Sequence, residues 1–491
     1  MEVSRNRFIS VVLSWLPAVI IALGIILRMV VYIDNRNLWT DEVAVALNII
    51  ERGFPELAQP LAYGQYAPPV FLWIVKLCSM MFGFGEQALR LFPLLAGIAS
   101  LFVFQSILRK NVSAKAAWYP LLLLATGIFY LRYATELKQY MPDALIALLL
   151  VWVAQRVDII KTSTPRFVLL WLLAGSLAIW SSMPSVFVVA GVGCYYGLIC
   201  LQHRDYKKLV PLIIIALVWL SQFLLYYFTI LDTQIHSDFL INYHNRYFLH
   251  GIPSGKEEWT HNTDVLNAIL KAAFSEHWFA LWVNKVLLLI GIIVLVARRK
   301  ASALLFILPI LLMLLAAAMK QYSLIPRLTL FTMPLMLLLV GVGLEQLLKT
   351  KYLLIKVPVL TIVLAAFVIN QPLRVLTEPI QEEHFTDGLD YIQAKGITGN
   401  QLYIYTGAAN SYRYYTTLHP RKDKWKGIQN AHIITEGTNI DSVAANLPSK
   451  AALLYTIPFD SYYTRDLFKK HMQQVDSFSA KGCSVFVYER E

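Results

Sequence analysis

The sequence predicts an all-α membrane protein of about 11 transmembrane helices that ends in a small extracytoplasmic α/β domain. Three observations carry this. Hydrophobic residues make up 57% of the chain and charged residues only 15%, far from the balance of a soluble globular protein. Runs of about 20 mostly apolar residues, enough to cross a bilayer, recur along most of its length. Past residue 370 the texture changes to short β-rich runs alternating with amphipathic ones.

The spans follow from the basic residues. Lys and Arg cluster in short links such as Arg5 and Arg7, Arg109 to Lys115, Arg156 to Arg166, Arg204 to Lys208, Arg298 to Lys300 and Lys349 to Lys356. Short loops of that kind stay cytoplasmic. Alternating sides from these anchors gives spans near 8–33, 88–108, 116–133, 140–155, 167–181, 185–201, 209–230, 278–297, 301–319, 327–347 and 353–370, with the N-terminus inside and the C-terminus outside. The net charge of +12 is spent on one membrane face, which argues against a nucleic-acid partner. The first run is too long for a signal h-region, and it ends in Tyr32, Asp34 and Asn35 rather than at a small-residue cleavage site, so it is read as a retained helix. PPVFLWIVKLCSMMFGF (68–84) is apolar but short, with Lys76 in its middle. Counting it as a span would invert every basic loop after it. It is therefore expected to lie at the outer surface, with Pro68 and Pro69 opening its first turn.

Residues 34–87 then form one large external loop, and 1–370 and 371–491 are the expected domains. In the second, QLYIY, HIITE, AALLYT and SVFVYER read as strands, and HFTDGLDYIQAKG, SYYTRDLFKKHMQQ and AANSYRYYTTL as helices. No glycine-rich phosphate fingerprint marks its turns. The four cysteines have no spacing that indicates a disulfide or zinc site, and the sequon at Asn111 falls on the cytoplasmic side.

Charge at the outer boundary is where chemistry is expected. NLWTDEVAVALNIIERGF (37–54) places Asp41 and Glu42 where the chain leaves the first span. The ordinary reading is a solvated loop. However, the second external turn, RYATELKQYMPD (132–143), brings Arg132, Glu136, Lys138, Tyr140 and Asp143 to the same boundary, and SLIPRLTLFTMP (323–334) adds Arg327. Carboxylates and cations held together by a bundle suit a charged lipid headgroup, and a guanidinium can clamp a phosphate through two parallel hydrogen bonds. The loop 231–277 contributes Asp232, His236, Asp238, His244, Arg246, Glu257, Glu258 and His261, at spacings that are weak evidence for a metal.

These segments occur in a telling order. An apolar helix precedes the Asp-Glu pair, followed by Tyr66-Ala67-Pro68-Pro69, Phe82-Gly83, Arg90-Leu91-Phe92-Pro93 and Thr135-Glu136-Leu137-Lys138-Gln139-Tyr140. The chain resembles the C-type integral-membrane glycosyltransferases, in particular the protein mannosyltransferase and lipid A aminoarabinose transferase group. The likeness covers about the first 160 residues and the stretch from Arg327 to Pro334. It implies an enzyme that takes a sugar from a polyprenyl phosphate to an acceptor outside the cytoplasm. It also implies that Asp41 is the general base with Glu42 as its catalytic neighbour, that Glu136 is a catalytic acid, and that Lys138 and Tyr140 bind substrate. Tyr66 belongs to the same substrate-binding set. Two positions depart from the family pattern: Thr135 replaces an Arg, and Ala67 stands where relatives have His or Lys. Both point to phosphate binding redistributed to Arg132 or Arg327.

The chemistry suits these residues. A carboxylate in a half-dry position beside Glu42 is expected to have a raised pKa and to take the acceptor proton. Thr40 is expected to cap its helix. Cations stabilise the departing phosphate, and one-step displacement inverts the anomeric centre. No obligatory metal is expected, because Arg and Lys can handle a lipid monophosphate, although Asp41 and Glu42 are able to hold a divalent cation. The expected partners are the polyprenyl-phosphate sugar, membrane lipids and a lipid, glycan or protein acceptor, in a bacterial inner membrane with the site on the periplasmic side. Two other readings stand beside this one. A flippase or transporter of lipid-linked sugars would show mid-bilayer charges and repeated halves. A polysaccharide ligase would not need the acid of the first loop.

Overall fold

The computed structural model describes residues 2–490 apart from 232–237, 299, 370–372, 436–437, 439–442, 444–445 and 457–461. Helices α1 to α10 span Glu2–Ile33, Thr40–Glu51, Pro69–Phe82, Glu86–Asn111, Ala114–Thr126, Ile128–Ala134, Tyr140–Ala154, Thr164–Ser181, Ser185–Gln202 and Leu209–Tyr226. Further helices cover Trp278–Ala297, Ala303–Ala318, Met333–Leu348 and Leu353–Ile369. Each of the eleven apolar segments is thus helical over most of its described length. Among the described residues, eight helices are long and apolar enough to cross a membrane, or nine if the bent pair α5 and α6 forms one span. The other two segments, α7 and Ala303–Ala318, have 15 and 16 residues. At 1.5 Å per residue that is roughly 22–24 Å, less than the hydrocarbon thickness of about 30 Å. The turn before α7 is correspondingly drawn into the bundle, with Thr135, Glu136, Leu137 and Lys138 all buried.

The α5–α6 break explains where that turn lies. The two helices meet at 53° across Gly127. A Cβ on Gly127 would sit 2.8 Å from the Tyr130 ring and 2.9 Å from the Leu123 carbonyl, so a larger residue would have to open the bend. The break leaves carbonyls at the end of α5 without helical donors. Arg28, fully buried in α1, reaches across and donates to Leu124 O at 3.0 Å and Ala125 O at 2.9 Å.

Helix α3 has 14 residues, with Pro68 at its N-cap and Pro69 in its first turn. Phe71, Leu72 and Val75 are buried, while Leu77, Met80, Met81 and Phe82 are at least half exposed. Lys76 Nζ donates to Ile49 O at 2.7 Å, which ties α3 to the end of α2. This two-sided character fits a helix lying at a membrane surface.

The C-terminal part forms a five-stranded mixed sheet of order β2-β1-β3-β5-β4, with β1 Leu402–Tyr405, β2 His432–Ile434, β3 Lys450–Tyr455, β4 Gln473–Ala480 and β5 Cys483–Glu489. Strand β1 pairs parallel with β2 and β3, and β5 antiparallel with β3 and β4. The four expected strands are present. The helix read over 461–474 ends at His471, however, and the next residues open the unexpected strand β4. QQVDSFSA is a polar edge strand with one face open, so it lacks an alternating apolar signal. The apolar core does not stop between loop and sheet. Leu38, Val43, Leu47, Phe71 and Leu72 of the external loop share one cluster with Phe385, Leu389, Leu402, Tyr415 and Val485.

Candidate active site

Helix α2 begins where the chain turns away from α1, and its first turn carries both acidic residues. At 100° per residue the two carboxylates leave the helix in different directions. They have different fates.

Glu42 is fully buried. Its carboxylate accepts from Arg90 Nε at 2.8 Å and Nη2 at 2.5 Å, and from the Leu137 N–H at 2.6 Å. Arg90 also donates to the carbonyls of Arg36 at 2.6 Å and Asn37 at 3.0 Å. Burial pushes the Glu42 carboxyl up, but the Arg90 guanidinium and its hydrogen bonds outweigh this and hold it below the usual range. The catalytic part expected of Glu42 does not fit this placement. Its oxygens are committed to locking α2, α4 and the α6–α7 turn together.

Asp41 faces the open side and is 29% exposed. Its Oδ2 lies 3.7 Å from Lys138 Nζ and 3.6 Å from Arg327 Nη2, and its Oδ1 accepts from Gln65 Nε2 at 3.4 Å. Lys138 is buried and donates to Gln65 Oε1 at 2.7 Å. Arg327 opens the 3-10 turn Pro326–Thr332, donates to Tyr243 OH at 3.5 Å, and keeps Nε buried without a partner among the described residues. Burial pushes the Asp41 carboxyl up, yet Lys138, then Arg327, then the Gln65 hydrogen bond pull harder, so its pKa is lowered. The expected rise is thereby corrected: the cations that could hold a phosphate keep the carboxylate ionised. The same burial lowers the pKa of Lys138.

The remaining candidates gather around this centre. Glu136 is buried, accepts from Arg132 Nε at 3.1 Å, and leaves Oε1 without a partner among the described residues. Burial raises its pKa, against the pull of Arg132. Arg132 also pairs with Glu382 Oε1 at 3.0 Å, so two carboxylates already share its charge. Tyr140 is buried edge-on to Tyr133, with ring centres 5.3 Å apart. The Tyr66 hydroxyl is hydrogen-bonded to that of Tyr226, and its carbonyl accepts from Gln139 at 3.4 Å. Asp143 lies buried beside Ser182, and Asp143, Gln139, Ser185 and Ser323 each keep a buried polar atom without a partner among the described residues. Such groups are of the kind that meet sugar hydroxyls.

Three contributors have no role assigned from the sequence. Arg36 donates to Thr135 Oγ1 and Thr135 O, both at 2.9 Å, so a guanidinium from the first loop meets the position where the family pattern has its own Arg. Gln65 bridges Asp41 and Lys138. Arg90 belongs to Glu42. The expected capping by Thr40 is also replaced: Trp39 is the N-cap residue, and the Thr40 hydroxyl donates to Glu383 instead of accepting from the helix. Of the histidines, His250 lies 3.5 Å from Glu258 and His261 meets the Phe248 carbonyl, while Asp232 and His236 lie outside the described residues. Among the described residues no three His, Cys, Asp or Glu side chains gather as a metal site. With Glu42 turned into its pair with Arg90, it does not join Asp41 in holding a cation.

Residues 66–227 match the dolichyl-phosphate-mannose-protein mannosyltransferase family. In three dimensions the chain is similar to ArnT from Cupriavidus metallidurans. The likeness to its apo state has a TM-score of 0.54 at 16% identity, covering 96% of this chain and 97% of that one. For the form bound to undecaprenyl phosphate the TM-score is 0.55, at the same identity and coverage. The fold is ArnT-like. The resemblance read from the first 160 residues is borne out by both findings. The Archaeoglobus fulgidus oligosaccharyltransferase matches more loosely, with a TM-score of 0.46 at 13% identity over 97% of this chain and 73% of that one. No curated protein matches the chain in sequence.

Proposed function

We propose that this protein transfers a sugar from a polyprenyl-phosphate donor to an acceptor on the outer face of a membrane, with inversion at the anomeric carbon. The observation that carries this reading is the Asp41 carboxylate set between Lys138 and Arg327, two cations from separate elements that it only loosely neutralises. The acceptor oxygen attacks the anomeric carbon while its proton passes to Asp41. The bond from that carbon to the phosphate oxygen breaks, and polyprenyl phosphate leaves with the electron pair. Lys138 and Arg327 take up the charge that grows on it. An acceptor hydroxyl, or a phosphate that still carries a proton, fits this scheme. The matched family and the lipid-bound relative support the donor class. Incubating the purified protein with polyprenyl-phosphate sugars and following release of polyprenyl phosphate by mass spectrometry tests it. No release from any hexosyl or pentosyl donor would sink the reading.

The two cations give a sharper test. Lys138→Gln and Arg327→Gln should each raise the donor KM through loss of about 1–3 kcal/mol of charged hydrogen bonding, roughly five- to 150-fold. Variants that melt like the wild type and use donor with an unchanged KM would remove the two cations from phosphate binding.

On this reading the site and the C-terminal sheet face the periplasm from a bacterial inner membrane; the basic links motivate the side. With the four native cysteines replaced by serine, single cysteines at Gly53, Asp387 and Lys161 can be probed with an impermeant thiol reagent on intact cells. Labelling is expected at the first two only. The reverse pattern would invert the topology.

A further inference from the structure

The helix that presents Asp41 is held from outside the membrane bundle. Trp39, its N-cap residue, makes no side-chain hydrogen bond to the free N–H groups of the first turn. The chain after the last span supplies what Trp39 does not. Glu383 Oε1 accepts from the Thr40 N–H at 2.9 Å and from the Thr40 hydroxyl at 2.6 Å. The lead-in to the helix is held from the same side. The Asn37 side chain accepts from the Thr386 N–H at 2.9 Å and donates to its hydroxyl at 3.0 Å, and the Leu38 N–H donates to Tyr415 OH at 2.8 Å. Residues 37, 38 and 40 are thus pinned by three groups that lie more than 300 positions further along the chain.

We infer that Glu383 is a positioning residue for Asp41, capping from a distance the helix that carries it, and that the C-terminal unit serves the reaction through this contact. The inference rests on the proposed role of Asp41. An uncapped first turn frays, and a base that wanders by about an ångström loses much of its effect.

The surroundings of Glu383 make the contact sensitive to pH. It is 2% exposed, and its Oε2 has no partner among the described residues. Asp41 and Glu42 face it from α2 and Cys483 from β5. Its neighbour Glu382 takes Arg132 and Lys481, at 3.0 and 3.4 Å, and His384, the N-cap residue of the helix Phe385–Ala394, pairs with Asp387 at 2.8 Å. Among the described residues no cation lies within ion-pair distance of Glu383 itself. Burial first, then the two carboxylates of α2, push it up to about 7, although its bonds to Thr40 pull the other way. The sign follows: with a pKa raised above the ordinary value near 4.3, the group's stabilising contribution is complete below that value and is lost as the pH rises through about 7.

Full-length Glu383→Gln, Glu383→Ala and Thr40→Val, purified in nanodiscs, test this. The readouts are donor KM, kcat from pH 5.5 to 8.5, and hydrogen exchange of the amides in 38–47. Gln keeps a carbonyl oxygen for Thr40, so kcat within about threefold of wild type is expected, with the change near pH 7 flattened. Ala should lower kcat about tenfold or more at a donor KM within about twofold, and speed exchange in the first turn of α2 about tenfold. Thr40→Val, which keeps the N–H bond, should fall between. Wild-type kcat and exchange in Glu383→Ala would overturn the inference. So would Gln failing as badly as Ala, which would point to a charge acting directly. If the wild type transfers no sugar, the reading of Asp41 fails, and the exchange rates still decide whether Glu383 caps the helix.

Discussion

Replacing Asp41 by Asn is expected to lower kcat by at least about 10² while the protein folds and binds donor much as before. Asn keeps the shape of the side chain but cannot take a proton. Little else depends on the charge. The contacts to Lys138 and Arg327, at 3.7 and 3.6 Å, are longer than hydrogen bonds, and Lys138 keeps its 2.7 Å bond to Gln65. Loss of the carboxylate leaves both cations freer for an incoming phosphate, so the donor KM should stay the same or fall. A solvated loop carboxylate would behave otherwise, tolerating Asn within about 0.5 kcal/mol and with full turnover. Steady-state kinetics with saturating acceptor separate the two cases, and an Asp41→Asn protein with wild-type kcat would return Asp41 to the status of a loop residue.

The lowered pKa of Asp41 carries a consequence for pH. In the free protein burial alone would raise it, but Lys138 and Arg327 pull it below the ordinary range, so the carboxylate stays charged to low pH. A donor phosphate that engages the two cations removes that pull and leaves burial to act, raising the affinity of Asp41 for a proton. The base therefore strengthens when the donor binds. The acid limb of kcat/KM reports the free enzyme, and that of kcat the bound complex. The kcat limb is expected at the higher pH, and coincident limbs would mean that the phosphate does not meet these cations.

How much of this was legible in the sequence depends on what the membrane makes conspicuous. Asp41, Lys138 and Arg327 stood out because each is a charge at the edge of a long apolar run, where charge is costly and its position therefore informative. Gln65 had no such contrast, being one polar residue in a polar loop, and Arg36 lay among Asp34, Asn35 and Asn37. The resemblance separates Asp41 from Glu42 only as base and catalytic neighbour. Their division is set by a 100° turn and by Arg90, 48 residues on, at the start of a helix whose packing no local pattern reveals. Glu383 was hidden in QEEHF beside Glu382, which has a different duty toward Arg132. Strand β4 escaped because an open edge strand needs no apolar alternation. The direction of the Asp41 shift was missed for a related reason: burial is readable from hydropathy, whereas the two cations that outweigh it converge only in the folded chain.

Glu42 should answer to mutation through stability rather than turnover. It is fully buried and Arg90 is 3% exposed, with 2.5 Å between their closest atoms. Removing one partner of such a pair leaves an uncompensated buried charge and typically costs about 3–5 kcal/mol, a large part of the 5–15 kcal/mol that holds a typical protein folded. Glu42→Gln leaves the Arg90 guanidinium without its counter-charge, although the amide oxygen can still accept from the Leu137 N–H. Arg90→Met leaves Glu42 charged in an apolar setting and also abandons the carbonyls of Arg36 and Asn37, at about 1–3 kcal/mol for each buried group left unpaired. Both single variants should therefore melt well below the wild type, Arg90→Met further. The double variant removes both charges, so its loss should be smaller than the sum of the two, the difference measuring the coupling of the pair. Thermal melts in detergent, read by fluorescence-detected size exclusion, provide the comparison, with kcat measured at a temperature where every variant is folded. A Glu42→Gln protein with wild-type melting and a 10²-fold fall in kcat would reverse the assignment, making Glu42 a group that meets the substrate. A melt that falls steeply while folded molecules keep kcat within a few-fold would place it where its hydrogen bonds do, in the lock between α2, α4 and the turn that carries Lys138.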